Sequence, residues 1–127
     1  MLGAAVLGLG SIGLTHAQVV ANTPGVQLKA VAEVDETKLG GVLDNLSSVQ
    51  GYGDYRDALG RDDVQEALIC LPHWLHEEAV IAASEAGKHL LVEKPLADSL
   101  VECDRIIEAA QRNNVVLMPA HTHRYYA

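Results

Sequence analysis

The chain has 127 residues, the size of one ordinary domain, with 49% hydrophobic and 20% charged residues, which suits a soluble globular fold. Nine Lys and Arg against 17 Asp and Glu give a net charge of −8, which repels nucleic acid and anionic membranes. Only two cysteines, Cys70 and Cys103, are present, so a disulfide framework is excluded and a reducing cytoplasm is expected; no apolar run reaches the roughly 18 residues of a membrane span.

Met1 to Leu14 is uncharged and mostly apolar, but no Lys or Arg precedes it and four glycines interrupt it, so a secretory leader is not expected. Ala4–Leu7 reads instead as a short buried strand ending at Gly8. Ser11–Asn22 follows as a helix, stopped by Thr23-Pro24-Gly25. Val26–Val34 is a second strand in which Val26, Leu28, Ala30 and Ala32 alternate. Glu36–Leu46 reads as a weaker helix and Val49–Tyr52 as a short strand. Asp54 is placed to cap a helix over Tyr55–Leu59. Ala67–Leu71 is a continuous apolar strand closed by Pro72. His76–Ala86 is a helix with Gly87 as its C′ residue. His89–Val92 is the fifth strand. Leu100 to about Arg112 is the best-defined helix. Ser99 and Glu102 make a capping box at its start, and Leu100, Cys103, Ile106, Ile107 and Ala110 form its apolar stripe. Val115–Met118 is the last strand, ended by Pro119.

Six strands alternating with helices predict an α/β fold, a doubly wound parallel sheet covered on both faces. Ligands of such sheets bind at the carboxyl ends of the strands, and the unusual residues of this chain follow the strands. Gly8 to Gly13 follows the first, Glu33 and Asp35 the second, Pro72 to His76 the fourth, Glu93-Lys94-Pro95 the fifth and His121 to Arg124 the sixth.

Gly8-Leu9-Gly10-Ser11-Ile12-Gly13 is a G-x-G-x-x-G turn with a strand before it and a helix after it. Gly8 permits a tight turn, Gly10 a close backbone approach to a pyrophosphate, and Gly13 close helix–strand packing. The free N–H groups around Ser11 and Ile12, at the positive end of the helix, favour phosphate. Glu33 lies 20 residues after Gly13, where an acidic side chain accepts hydrogen bonds from an adenosine ribose. A carboxylate there repels a 2′-phosphate and no Arg follows it, so NAD is expected over NADP; Asp35 is read as a helix cap. In Glu93-Lys94-Pro95, proline forces Lys94 into an extended backbone and permits a cis bond. The Lys94 ammonium is a candidate proton-transfer group, with Glu93 beside it; taken alone, the tripeptide also fits a surface turn.

With these motifs the chain resembles the N-terminal domain of the Gfo/Idh/MocA oxidoreductases, which include glucose-fructose oxidoreductase and inositol dehydrogenase. The resemblance covers the whole chain. It rests on Gly8 to Gly13, Ala32-Glu33, Leu71-Pro72-x-x-x-His76, Ala86-Gly87-Lys88-His89, Val92-Glu93-Lys94-Pro95-Leu96 and Arg124-Tyr125. It implies a Rossmann-type dinucleotide-binding domain of an enzyme that transfers hydride between a nicotinamide cofactor and a sugar, cyclitol or related alcohol. It implies Lys94 as the catalytic-site lysine and Glu93 as its neighbour at the cofactor. It also implies that Leu71, Pro72 and His76 line the nicotinamide half, and that Arg124 contributes at the last strand. His73 departs from the Asn usual in the family. The family continues into a second α/β domain that carries substrate contacts, a further Asp/His pair and an oligomer interface. The chain is therefore expected to be a fragment or a truncation, with a homo-oligomer expected only when that domain is present.

Three rival readings are weighed. His73-x-x-His76 and His121-x-His123, with Cys70 near, invite a metal, but the carboxylates that would complete a site are missing; His16 and His89 are read as packing residues. A stand-alone module that senses NAD fits the fold, although a sensor has no need of Lys94. A protein-interaction domain has only the small apolar spot of Trp74 and Leu75 in its favour.

Overall fold

The structure is a computed structural model and describes residues 1–122. Its elements in chain order are β1 (Leu2–Leu7), α1 (Ser11–Ala21), β2 (Val26–Ala32), α2 (Glu36–Leu43), β3 (Gln50–Tyr52), α3 (Tyr55–Leu59), β4 (Glu66–Ile69), a 3-10 turn (His73–Leu75), α4 (His76–Glu85), β5 (His89–Val92), α5 (Leu100–Arg112) and β6 (Leu117–Pro119). All strand pairs are parallel, and the sheet order is β3-β2-β1-β4-β5-β6. The doubly wound sheet expected from the sequence is therefore present, with the order reversing between β1 and β4.

Two apolar layers sandwich the sheet. On one face Ala5, Leu7, Ala30, Ala67, Ile69, Leu90 and Val92 pack against α3, α4 and α5. On the other, Ala4, Val6, Leu28, Val31 and Leu68 pack against Ala17 and Val20 of α1, with Leu39, Val42 and Leu43 of α2 alongside. These strands read as unbroken apolar runs because both of their faces are covered. Small residues on the strands let the helices sit close, so an aliphatic core forms without Phe.

The local chemistry of the chain ends most helices as read. Asp35 accepts from Thr37 N at 3.0 Å and Lys38 N at 3.1 Å, and Asp54 accepts from Arg56 N at 2.9 Å. Gly87 adopts φ +75° after α4. Ser99 caps α5 by accepting from Glu102 N at 3.2 Å, but Glu102 reaches Asp98 N, at 3.1 Å, and not the cap residue itself.

Four expectations are corrected. The alternation in β2 does not stay on one face: a register shift between Ala4 and Ala5 passes over Lys29, so Leu28 packs on the α1 side and Ala30 on the opposite side. The apolar stripe of α5 is rotated from the expected one. Ile106, Ala109 and Ala110 are buried, whereas Leu100 is 83% and Ile107 42% exposed. Finally, α2 ends at Leu43 instead of Leu46, and β6 begins at Leu117 instead of Val115, because Val115 N still closes the end of α5 on Ala110 O at 3.0 Å. No helix among the described residues is long and apolar enough to cross a membrane.

Candidate functional site

The turn from β1 into α1 is built by its outer glycines. Gly8 has φ +94°, and a Cβ there would stand 2.6 Å from Cys70 O. A Cβ on Gly13 would stand 1.9 Å from Gly8 O, so α1 lies directly on the turn. Gly10 differs, because nothing lies within 4 Å of where its Cβ would be. That open space adjoins a helix start with no side-chain cap and no acidic residue in its first turn. By contrast α2, α3 and α5 each carry both a side-chain cap and an acid there. Among the described residues the first N–H groups of α1 thus have neither partner nor competitor, which is the donor set a pyrophosphate needs.

Glu33 faces this turn from the end of β2. Its Oε1 accepts from Leu9 N at 2.9 Å and its Oε2 from Asp35 N at 3.0 Å, while its own N–H bonds Tyr52 O. Two backbone donors therefore hold the carboxylate at the rim of a cleft of about 400 Å³. Gly8, Gly10, Leu71, Pro72, Leu75 and Lys38 are among its walls. Lys38 is an addition to the expected set: it lies five residues after Glu33, in the first turn of α2, and the bend from β2 into α2 returns it to the carboxylate's cleft.

Cys70 closes the floor behind Gly13. Burial, and then the charge of Glu93, push its thiol up to about 12, so it stays protonated and inert. The His16 ring, read from sequence as packing, pairs with Glu93: Nε2 lies 2.9 Å from Oε1. The other oxygen of Glu93 accepts from Lys94 N at 3.2 Å. Glu93 is thus tied to α1 on one side and to the Lys94 backbone on the other. The Lys94–Pro95 bond is cis. The Lys94 side chain is exposed, and its ammonium has no hydrogen bond or ion pair among the described residues. It borders a second hollow, of about 590 Å³, with Pro95, Leu96, Pro119 and His121.

His76, expected at the cofactor, is 1% exposed at the start of α4. Its Nε2 lies 3.0 Å from Leu71 O and its Nδ1 3.2 Å from Leu96 O, so it lies beneath the cleft instead of facing it. His73 points its Nδ1 at the Asp98 carboxylate. His89 Nδ1 accepts from Val116 N at 3.0 Å and joins β5 to the chain entering β6. The ring nitrogens placed by these bonds go to scaffold partners. No group of three or more His, Cys, Asp and Glu among the described residues is arranged to hold a metal ion. Arg124 and His123 lie outside the described residues.

Comparison with known proteins bears on this arrangement. Residues 2–121 match the model of the oxidoreductase family with an NAD-binding Rossmann fold, GFO_IDH_MocA. The chain belongs to this family. It is 32% identical over 121 residues to a 4-carboxy-2-hydroxymuconate-6-semialdehyde dehydrogenase of a Sphingobium species, covering 95% of the chain and 38% of that protein. It is 35% identical over 114 residues to an inositol 2-dehydrogenase of Salmonella typhimurium, covering 88% of the chain and 34% of that protein. A probable dehydrogenase from Thermotoga maritima superposes with TM-score 0.94 at 32% identity, over 98% of the chain and 37% of its own. The chain therefore spans little more than a third of the length of these relatives.

Proposed function

We propose that the chain is the cofactor-binding part of an NAD-dependent oxidoreductase that acts on the CH–OH group of a sugar, cyclitol or related alcohol. The observation that carries this reading is the meeting, along one sheet edge, of the uncapped start of α1, the Glu33 carboxylate and the Lys94 ammonium, which has no partner among the described residues.

The roles follow from the groups present. The N–H donors from Gly10 to Gly13 hold the pyrophosphate, and the open side of Gly10 lets it come close. Glu33 accepts from the adenosine ribose. Leu71 and Pro72 wall the path toward the other end of the dinucleotide. Lys94, on the next strand end, holds or moves the proton of the substrate hydroxyl, and the His16–Glu93 pair fixes the turn that presents it. The bound nicotinamide supplies the hydride acceptor.

Glu33 favours NAD because its charge opposes a 2′-phosphate, although Lys38 in the same cleft weakens that preference. Inositol 2-dehydrogenase among the relatives supports a polyol substrate. Substrate contacts, a further proton-transfer pair and any homo-oligomer interface are assigned to the length of the family that lies outside this match.

Calorimetric titration of the chain with NAD and NADP tests the reading. NAD is expected to bind, and more tightly than NADP; absence of binding by either rejects it. The chain alone is expected to form no NADH from sugars or cyclitols. No described residue on its open edge stands over the nicotinamide side to fix an alcohol carbon, and such positioning supplies roughly 7–11 kcal/mol of barrier reduction.

A further inference from the structure

The His76 ring lies between the walls of two hollows. Leu71, whose carbonyl faces Nε2, is a wall of the cleft that holds Gly8 and Glu33. Leu96, whose carbonyl faces Nδ1, is a wall of the hollow bordered by Lys94. Leu71 belongs to the loop after β4, and Leu96 to the loop after β5. Leu71 and Leu96 both also pack against the same layer of the core. The ring is 1% exposed, so water cannot stand in for either bond.

A neutral imidazole donates one hydrogen bond and an imidazolium donates two. Both partners here are carbonyl acceptors, so every protonation state of the ring holds at least one loop, and the buried ring fills the gap to the other. A second tie runs in parallel, since His73 from the first loop meets Asp98 from the second.

We propose that His76 is a positioning residue that fixes the spacing of these two loops. Through that spacing it sets the affinity for the nicotinamide end of the dinucleotide without touching it. The proposal rests on the cofactor reading above. Loss of the clasp lowers the fraction of molecules with both walls in place, and apparent affinity falls by that fraction. The adenosine and pyrophosphate subsites, built by α1 and Glu33, do not depend on it.

The test compares NADH with ADP-ribose, which lacks the nicotinamide. Trp74, the one tryptophan, lies in the first loop and reports NADH binding by energy transfer; ADP-ribose is followed by calorimetry. In His76→Leu, which leaves both buried carbonyls without a donor, NADH affinity is expected to fall about tenfold, and in His76→Gln, whose amide still donates to one of them, by less. ADP-ribose affinity is expected to stay within about twofold in both, since its subsites keep their donors. Unchanged NADH affinity in a folded Leu variant overturns the proposal, and so does an equal loss for both ligands. If neither His76 variant folds, His76→Asn decides, because its amide keeps a donor at the site but is too short to span both carbonyls. A selective NADH loss of about threefold supports the clasp there, and no loss overturns it. An unmodified chain that binds neither ligand removes the cofactor reading itself, and the clasp with it.

Discussion

Cofactor choice is the property most directly tied to one side chain, and the structure changes how it is best probed. Removing the Glu33 carboxylate altogether leaves Leu9 N without an acceptor, and Leu9 is 1% exposed. That alone costs about 1–3 kcal/mol of stability and confuses folding with selectivity. Glu33→Gln avoids this, because the amide oxygen still accepts from Leu9 N while the charge is gone. The displaced bond, to Asp35 N, is exposed and water replaces it. A unit charge pair 4 Å apart is worth about 1 kcal/mol in water and about 4 kcal/mol at an effective dielectric constant of 20. Glu33 is half-buried at a rim, and Lys38 pulls the other way from the same cleft, so the lower part of that range applies. Relief of about 1–2 kcal/mol corresponds to NADP affinity rising about 5- to 30-fold. NAD affinity is expected to fall, by less than about tenfold, as its ribose trades a charged acceptor for a neutral one. Titration of both cofactors at low and high salt measures the effect, and the gain for NADP should shrink as salt screens the carboxylate in the unmodified chain. Equal affinities for NAD and NADP in the unmodified chain, or an unchanged ratio in Glu33→Gln, would refute the reasoning.

The remaining predictions concern the lysine, the turn and the thiol. In the complete enzyme, Lys94→Met is expected to lower kcat by roughly 10²–10⁴-fold, the usual worth of a proton-transfer group, with a much smaller change in NAD affinity; steady-state kinetics with a dehydrogenated substrate identified would contradict this if turnover stayed within about threefold. Gly13→Ala places a methyl 1.9 Å from Gly8 O, a backbone atom that cannot rotate aside, so stability is expected to fall by about 1–3 kcal/mol or more in urea unfolding. Gly10→Ala meets nothing within 4 Å, so its unfolding midpoint is expected to hold while NAD binding weakens; loss of the midpoint there would count against the open phosphate space. Burial raises the Cys70 thiol from 9.0 to about 12. The unfolded thiol ionises first as pH rises past 9, the folded one keeps its proton, and stability is expected to decline across that window. Cys70→Ala is expected to flatten the decline in urea midpoints measured from pH 8 upward, leaving the part due to Tyr55, which burial raises to about 12. Identical pH profiles for the two chains would contradict the assignment.

Much of the architecture was legible because it is written in local terms. Asp35, Asp54 and Ser99 cap helices that begin at the next residue, and Gly8 and Gly87 take the positive φ that their places after a strand and a helix demand. The parallel sheet follows from apolar runs too short for helices and too continuous for a solvated face. What local terms did not show was partnership across the fold. His16 and Glu93 are 77 residues apart in sequence, and nothing in the pattern around His16 marks it as other than a helix residue. The rings of His73 and His76 looked alike as ligand candidates, yet one meets a carboxylate and the other two carbonyls. The β2 bulge was hidden for a similar reason. An i, i+2 series predicts a face only while the register holds, and the shift that moves Ala30 across the sheet lies in the pairing with β1.

These partnerships also narrow the candidates for proton transfer to the lysines of the carboxyl edge. Around the carboxyl edge the ionisable groups face scaffold partners: Glu33 two backbone N–H groups, Glu93 a histidine and the Lys94 N–H, His76 two carbonyls, His73 a carboxylate. Cys70 is held neutral by burial. A group committed in this way keeps its position when a ligand arrives, which lowers the reorganisation a reaction requires. It is correspondingly poorly placed to exchange protons with a substrate. Lys94 and Lys38 each combine exposure, a backbone N–H bonded to a nearby carboxylate and an ammonium with no partner among the described residues; Lys94 differs in standing after β5, beside Glu93 and the hollow that Pro119 and His121 border. On the function proposed above, it is this place after β5, away from the Glu33 cleft, that favours Lys94 over Lys38 for proton transfer.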